Sequence, residues 1–407
     1  MSLNQTISRK IDDLLRWKAR HRVFSWSSYS KWVEEIHQDK SQFVSMTEHP
    51  FQRQPNDAKI FAYYLTQYHA IPENDIAHGK GFTEWINVAT AQPHFVGHYQ
   101  PKIPYDLGFY NLLMPGVMER QVEIAKTYGI YGFCFYYYWF SGKKVLEKPL
   151  LYWLAHQEID FHYHFCWADE NWSKLWDGGN KEIILKQGLQ DGDAEQLFAD
   201  LLPFFQDKRY EKIDNKPIFM IYRPSVFPNE DFLLFIDKLQ SLARKNNFNG
   251  LYLTCSPYGD NNPLEWGMDA MTEFPPHGLW DLCPEIRTIN RLVPSTNFAV
   301  RDTTKFIKNK MYLQNVNYPV FKCCFPSWDN TPRKAWTNGS YFNLSYEHFA
   351  IWLTDIIQWT KINHKINEQY VYINAWNEWG EGAILEPTFR YGYKALDIVK
   401  QCLERVR

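Results

Sequence analysis

Eight short runs in which most positions are apolar, aromatic or β-branched punctuate the chain: Lys59–His69, Gly129–Phe140, Phe161–Trp167, Pro217–Arg223, Leu251–Ser256, Met268–Phe274, Pro319–Pro326 and Gln369–Ala375. Their apolar character is continuous rather than alternating, as in strands covered on both faces. Helix-length amphipathic segments separate most of them: Asn111–Tyr128, Asp193–Phe205, Phe232–Lys245, Thr303–Leu313 and Ser345–Thr360. Tyr393–Arg405 follows the last run. Strand followed by helix, repeated along the chain, predicts parallel β/α units. Eight such units in 407 residues predict an α/β protein closed as a (β/α)₈ TIM barrel. The competing doubly wound open sheet lacks its mark, since no GxGxxG turn follows the first run.

The first 54 residues stand apart. Arg9, Lys10, Arg16, Lys18, Arg20 and Arg22 accompany Ile11, Leu14 and Leu15 at helical spacing. The pattern predicts an N-terminal helical extension (1–54) ahead of the barrel (55–407). Packing on the barrel is the simpler account of this segment. A basic helix lying on the inner face of a membrane, giving peripheral association, is the alternative.

Composition narrows the class. A formal net charge of −2 argues against an electrostatic nucleic-acid partner. The N-terminus lacks the apolar core and cleavage site of a secretory signal, and the uncharged stretch Thr127–Gly142 is too short to span a bilayer. Seven cysteines without CxxC spacing, most of them inside apolar runs, read as reduced core thiols. Together these features predict a soluble, cytoplasmic protein. The unusual feature of the composition is its aromatic content, with 17 Trp, 26 Tyr and 28 Phe. Such an excess hints at ring surfaces used for recognition.

In such a barrel the chemistry belongs to the segments just after each strand. Four of those segments combine acids, amides and Trp. The first run leads to Gly81-Phe82-Thr83-Glu84-Trp85, and the third to Trp167-Ala168-Asp169-Glu170-Asn171-Trp172 and then Trp176-Asp177. The seventh leads to Trp328-Asp329-Asn330 with Arg333 behind, and the eighth to Trp376-Asn377-Glu378-Trp379-Gly380-Glu381. This is the composition of a sugar site, where carboxylates and amides chelate hydroxyls and indoles stack on pyranose faces. Glu84, Trp85, Trp167, Asp169, Glu170, Asn171, Trp172, Trp176, Trp328, Asp329, Asn330, Arg333, Trp376, Asn377 and Trp379 are candidate substrate contacts, with Glu378 and Glu381 the candidate catalytic pair. Three residues apart on one helical turn, two carboxyls share a face about 5–6 Å apart at Cβ, compatible with the spacing of retaining glycosidases. By spacing alone they are equally well solvated acids at a helix N-terminus. For the neighbouring loops the plain alternatives are caps and rim packing, with an Asx-turn at Asp329 and Asn330 and Arg333 as its ion partner.

Several strings carry a resemblance: GKGFTEWINVATAQPHFVGHYQPKIPYDLGFYN, YGIYGFCFYYYWFSGKKVLEKPL, CWADENWSKLWDG, FPSWDNTPRK and INAWNEWGEGAILEP. In order from about Phe61 to Pro387, they resemble the WbsX family of glycoside hydrolase family 99-like proteins. Members typically occur in bacterial O-antigen and other surface-polysaccharide clusters, often labelled glycosyltransferases. The related family 99 enzymes are (β/α)₈ barrels that cleave internal α-mannosidic bonds with retention. The resemblance implies an enzyme that cleaves or transfers an α-glycosidic, mannose-like linkage in an oligosaccharide or polysaccharide, without a metal or organic cofactor. By position in NEWGEG it also implies that Glu378 deprotonates the sugar 2-hydroxyl, which attacks C1 to give a 1,2-anhydro sugar. Glu381 then protonates the leaving oxygen and later activates water or an acceptor. Gly380 departs from the pattern, because the family 99 hydrolases commonly carry His there; this leaves the acceptor open.

Three rival readings have their own residues. Asp191-Gly192-Asp193 matches the metal-binding DxD of sugar-nucleotide transferases, but it precedes a helix that Asp193 would cap. Glu378 and Glu386 stand at the Glu-x₇-Glu spacing of some retaining transferases, which are built on open sheets. His162 and His164 alternate on a strand as a metal-binding His-x-His pair does, yet no further ligand is evident. A non-catalytic glycan-binding protein would share the Trp-rich loops and lack only the use of the Glu pair. Oligomeric state is open.

Overall fold

The computed structural model describes residues 26–173, 182–257, 262–289, 292, 298–334 and 339–407. All eight apolar runs become strands: β1 (Lys59–Tyr64), β2 (Gly132–Phe140), β3 (His162–Trp167), β4 (Lys216–Ile221), β5 (Tyr252–Cys255), β6 (Ala270–Thr272), β7 (Val320–Cys324) and β8 (Tyr370–Ile373). Each pairs in parallel with the next. Pairing of β8 with β1, from Lys59 against Tyr370 to Ala62 against Ile373, closes the ring. The result is the (β/α)₈ barrel that the pattern predicts.

Alternation along β2 shows how the aromatic wealth is divided. Phe133, Phe135, Tyr137 and Trp139 point outward, where Tyr137 stacks on Phe165 and Trp139 Nε1 donates to Asp200 on the helix Asp193–Gln206 at 3.1 Å. Cys134, Tyr136 and Tyr138 face the barrel axis, as the two-residue period requires. Large rings on the outward face bury roughly 150–250 Å² each against the helices and dominate the core energetics.

Two helices are shorter than their patterns. That expected from Asn111 starts at Val117, because Gly116 adopts a left-handed φ of 88° that breaks the helical path. That expected over Thr303–Leu313 covers Thr304–Lys308, and Lys310 takes a positive φ of 49° just beyond it. Ahead of the barrel lies a helix, Trp26–Gln38, followed by a strap in which Val44 pairs with Gly392. The leader positions Ile11, Leu14 and Leu15 lie outside the described residues, as do Trp176 and Asp177.

Candidate active site

The segment after β8 is not the helical turn its spacing suggests. Asn377–Glu378 and Ala383–Ile384 form a two-residue antiparallel ladder, and Trp379–Glu381 between them makes a 3₁₀ turn closed by Gly382 at φ 62°. In a 3₁₀ turn residues three apart eclipse, so Glu378 and Glu381 still share a side. The hairpin is pinned at several points. Asn377 accepts from Leu65 N–H at 2.7 Å and donates to Leu65 C=O at 3.0 Å, a side-chain imitation of strand pairing with the end of β1. Tyr68 OH donates to Asn377 C=O at 2.5 Å. Lys102 Nζ and Ser327 Oγ both donate to Gly382 C=O. Trp379 Nε1 donates to buried Glu386 at 2.6 Å.

Arg333, on a single helical turn after β7, joins this hairpin to the loop after β1. Its Nη2 lies 2.9 Å from Glu378 Oε2, its Nη1 2.9 Å from Glu381 Oε1, and its Nε 2.8 Å from Glu84 Oε1. One guanidinium thus faces three carboxylates, with Glu381 the most exposed of them at 18% of its side chain. Three ionised carboxylates with one cation would leave a charge of −2 out of water, which favours retention of a proton. Burial, with Glu381 and Glu84 close by, pushes the Glu378 carboxyl up to about 8 against the pull of Arg333. Glu381 is also raised, again by burial and again opposed by Arg333. For Arg333 itself burial would favour loss of its proton, but the glutamates more than reverse this.

Glu378, Glu381 and Arg333 lie in the wall of a pocket of about 280 Å³ at the C-terminal ends of the strands. Of the other predicted contacts, Glu170, Asn171, Trp172 and Trp328 line it too. Glu170 is held by Arg223 Nη1 at 2.6 Å, and Asn171 Oδ1 accepts from Gln187 N–H. Several lining residues were not singled out by motif: Gln67, Tyr136, Tyr138, Tyr222, Phe274, His277 and Trp280. Their signal is position alone. Tyr222 follows β4 directly, Phe274 stands two residues beyond β6, and Tyr136 and Tyr138 occupy the axis-facing phase of β2.

The remaining candidates stand behind the wall. Glu84 is fully buried on the far side of Arg333, and Trp85 packs between Tyr68, Tyr110 and Trp379 while donating to Tyr110 C=O. Trp167 is in the outward phase of β3, stacked on Phe227, so its indole meets helices rather than the pocket. Trp376 is buried on Phe133, and Trp379 is buried on Trp85 and Glu386. Asn377 is spent on Leu65. Asp169 accepts from Arg223 N–H, and burial raises its carboxyl well above the ordinary range. Asn330 Oδ1 accepts from Ser340 N–H. Asp329 does form an Asx-type turn with Thr331, but its close side-chain partner is His98 Nε2 at 2.7 Å, not Arg333. Burial opposes ionisation of Asp329; His98 and the converging donors outweigh it and hold the carboxyl low.

The motifs of the rival readings have structural placements as well. Gly192, not Asp193, caps its helix, and Asp193 accepts from Gln190 N–H and Ser141 Oγ. Glu386 lies behind Trp379, bound by Tyr110, Gln121 and Trp379, with burial raising its carboxyl to about 7. His162 lies 3.0 Å from Glu211, and His164 faces Tyr372 OH inside the barrel. Among the described residues no cluster of three or more His, Cys, Asp or Glu is arranged to hold a metal ion.

A (β/α)₈ barrel with paired glutamates beside an aromatic pocket at its C-terminal face has the build of a carbohydrate-active protein. A family model described as Glycosyltransferase WbsX matches residues 60–399, and the chain belongs to that family. Two relatives named Uncharacterized protein WxcX, from Xanthomonas campestris pv. campestris strains ATCC 33913 and B100, are each 36% identical over 350 residues. The match covers 86% of this chain and 50% of theirs, so the chain spans about half the length of these relatives. Among solved structures, a "Glycoside hydrolase-like protein" aligns at TM-score 0.54 and 14% identity, covering 89% of this chain and 98% of that one. The GH99 endo-alpha-mannosidase from Bacteroides thetaiotaomicron aligns at TM-score 0.54 and 12% identity, covering 88% and 98%. These two likenesses concern the fold.

Proposed function

We propose that the protein is a retaining enzyme acting on an α-linked, mannose-like sugar of a bacterial surface polysaccharide, with Glu378 and Glu381 as its reacting acids. The observation that carries this reading is the placement of both carboxyls on one rigid turn facing an aromatic pocket. Glu378 takes the proton of the sugar 2-hydroxyl as O2 attacks C1, and the bond from C1 to the leaving oxygen breaks while Glu381 protonates that oxygen. Water or an acceptor hydroxyl, deprotonated by Glu381, then opens the 1,2-anhydro ring at C1, and Glu378 returns the proton to O2. Two inversions at C1 give retention. Before substrate binds, Glu378 holds its proton well above the ordinary carboxylate range. A 2-hydroxyl donating to this carboxyl favours its ionised form, so substrate binding draws the proton towards Glu381.

The stacking surfaces are Trp172, Trp280 and Trp328 with Tyr136 and Tyr138, and Glu170 and Asn171 are hydroxyl contacts. The family description supports transfer to a sugar hydroxyl as a second outcome of the same chemistry. Among the described residues no helix is long and apolar enough to cross a membrane. We place the reaction beside cytoplasmic assembly of the polysaccharide.

The test is incubation with the lipid-linked or released polysaccharide of the source organism, followed by mass spectrometry. Shortened glycans support hydrolysis, and lengthened glycans support transfer. Binding without change, or turnover that survives Glu381→Gln, overturns the reading. Because the pair must carry one proton between its two carboxyls, kcat/KM falls on the alkaline side with a midpoint near 8.

A further inference from the structure

Gly380, between the two glutamates, is a glycine because of what lies under it. Its backbone is outside the left-handed region, so the turn itself does not demand glycine. A Cβ placed there would come within 1.8 Å of Glu84 Oε1 and 2.7 Å of Arg333 Nε. The space that a side chain would occupy is taken by the ion pair of these two residues.

Glu84 begins the helix Glu84–Thr90, is fully buried and lies off the pocket wall. Arg333 bridges it to both reacting acids. A guanidinium is planar and its N–H directions are fixed relative to one another. Once Glu84 anchors Nε, the directions of Nη1 and Nη2 are set, and these are the two groups bonded to Glu381 and Glu378. A lysine in the same place would offer a rotating point charge and no such template. Each of the three nitrogens of Arg333 meets a different carboxylate.

We propose that Glu84 is a positioning residue that acts through Arg333, and that Gly380 is the gap that admits the pair beneath the turn. Together they hold Glu378 and Glu381 at the separation and orientation the reaction uses. The inference rests on the reading of these two as the reacting acids. The charged and titratable groups facing Glu378 are Arg333 from the turn after β7, Glu381 from its own turn and Glu84 from the helix after β1. The phenols of Tyr68, Tyr136 and Tyr138 face it from the β1 loop and β2. Neutralising Glu84 removes one anion near Glu378 and frees Arg333 to serve the other two carboxylates, so both effects make Glu378 easier to ionise.

The experiment is a carboxyl NMR titration of the ¹³C-glutamate-labelled 407-residue chain, with the Glu378 signal assigned by its loss in Glu378→Gln. In Glu84→Gln the proton affinity of Glu378 is expected to fall by about tenfold or more, the equivalent of about 1.4 kcal/mol. In kinetics on the polysaccharide the same variant should lose kcat rather than KM, and the alkaline limb of its pH profile should move down with the titration. Gly380→Ala should displace the pair and produce a change in the Glu378 midpoint together with a kcat loss. It serves as the second variant should Glu84→Gln not fold. An unchanged Glu378 midpoint in whichever variant folds overturns the proposal, as does full kcat in that variant. A wild-type protein that turns over no glycan, yet shows the Glu378 shift on Glu84→Gln, sustains the clamp and overturns the proposed reaction instead.

Discussion

Glu378 is a buried acid surrounded by other acids, and it works against folding at alkaline pH. Its carboxyl titrates near 8 in the folded chain and near 4.3 in an unfolded one, so the folded state binds the extra proton between those values. Stability assigned to this group is therefore intact below about pH 4 and is lost as pH rises through about 8. Glu378→Gln, which cannot ionise, should unfold at a higher temperature than the parent at pH 9. The gain should be of the order of 1–3 kcal/mol and should shrink towards zero by pH 5. A gain independent of pH, in thermal melts at both values, would contradict the placement of this charge. The pair itself was legible from its three-residue spacing and its place after the eighth run. Its cation was not. Arg333 is close in sequence to Asp329, which made that carboxylate the natural partner, but Asp329 is saturated by His98, Gln100 and Thr331.

Among the elements, the runs were readable and their edges less so. Continuous apolar stretches identify parallel strands because both faces of the barrel wall are covered, and all eight are found. The spacing after the eighth run predicts a helical turn, and the chain forms a hairpin there instead. Its residues satisfy a helical spacing, but the tertiary bonds to Leu65, Tyr68, Lys102 and Ser327 outweigh that local preference. The tryptophans show a related limit. Trp85, Trp376 and Trp379 sit beside acids in the sequence, yet the chain turns them inward as props for the acids. Trp172 and Trp328 face the pocket. Adjacency along the chain says nothing of which way a ring points, whereas the two-residue phase of β2 predicts that Tyr136 and Tyr138 share one face and Tyr137 the other. If the hairpin is held as described, Asn377→Ala should be costly. It leaves the buried N–H and C=O of Leu65 without partners, a loss of roughly 3 kcal/mol in urea unfolding. A change under 1 kcal/mol would mean that the strand-like bonds of Asn377 do not support the turn.

At the scale of the molecule, closure of the ring makes the site. Glu84 and Arg333 are 249 positions apart and Arg333 and Glu378 are 45 apart, and only pairing of β8 with β1 brings the first loop beside the last two. Strand order can be read from eight periodic runs, but contact between side chains on different loops cannot, because it depends on the tilt and twist with which the barrel closes. The net charge of −2 and a pocket walled largely by rings and internally paired charges also bear on recognition. A neutral glycan bound by stacking and hydroxyl contacts should be nearly indifferent to ionic strength. Its affinity should change by less than about twofold between 50 and 500 mM salt, by calorimetric titration. A steep fall with salt would point to an anionic substrate.

Loops that carry catalytic groups are usually the first to exchange their amide hydrogens with solvent, since they open at little cost. The hairpin Asn377–Ile384 should behave in the opposite way. The amides of Trp379, Gly382 and Leu385 donate to Tyr68 OH, Trp379 C=O and the carbonyls of Ala375 and Trp376, and Trp379 is fully buried. In hydrogen–deuterium exchange this segment should be protected to the same degree as β1 and β8, exchanging only when the whole barrel unfolds. The two acids would then sit on the most slowly exchanging part of the molecule, and any adjustment to differently shaped glycans falls to the loops on the other side of the pocket.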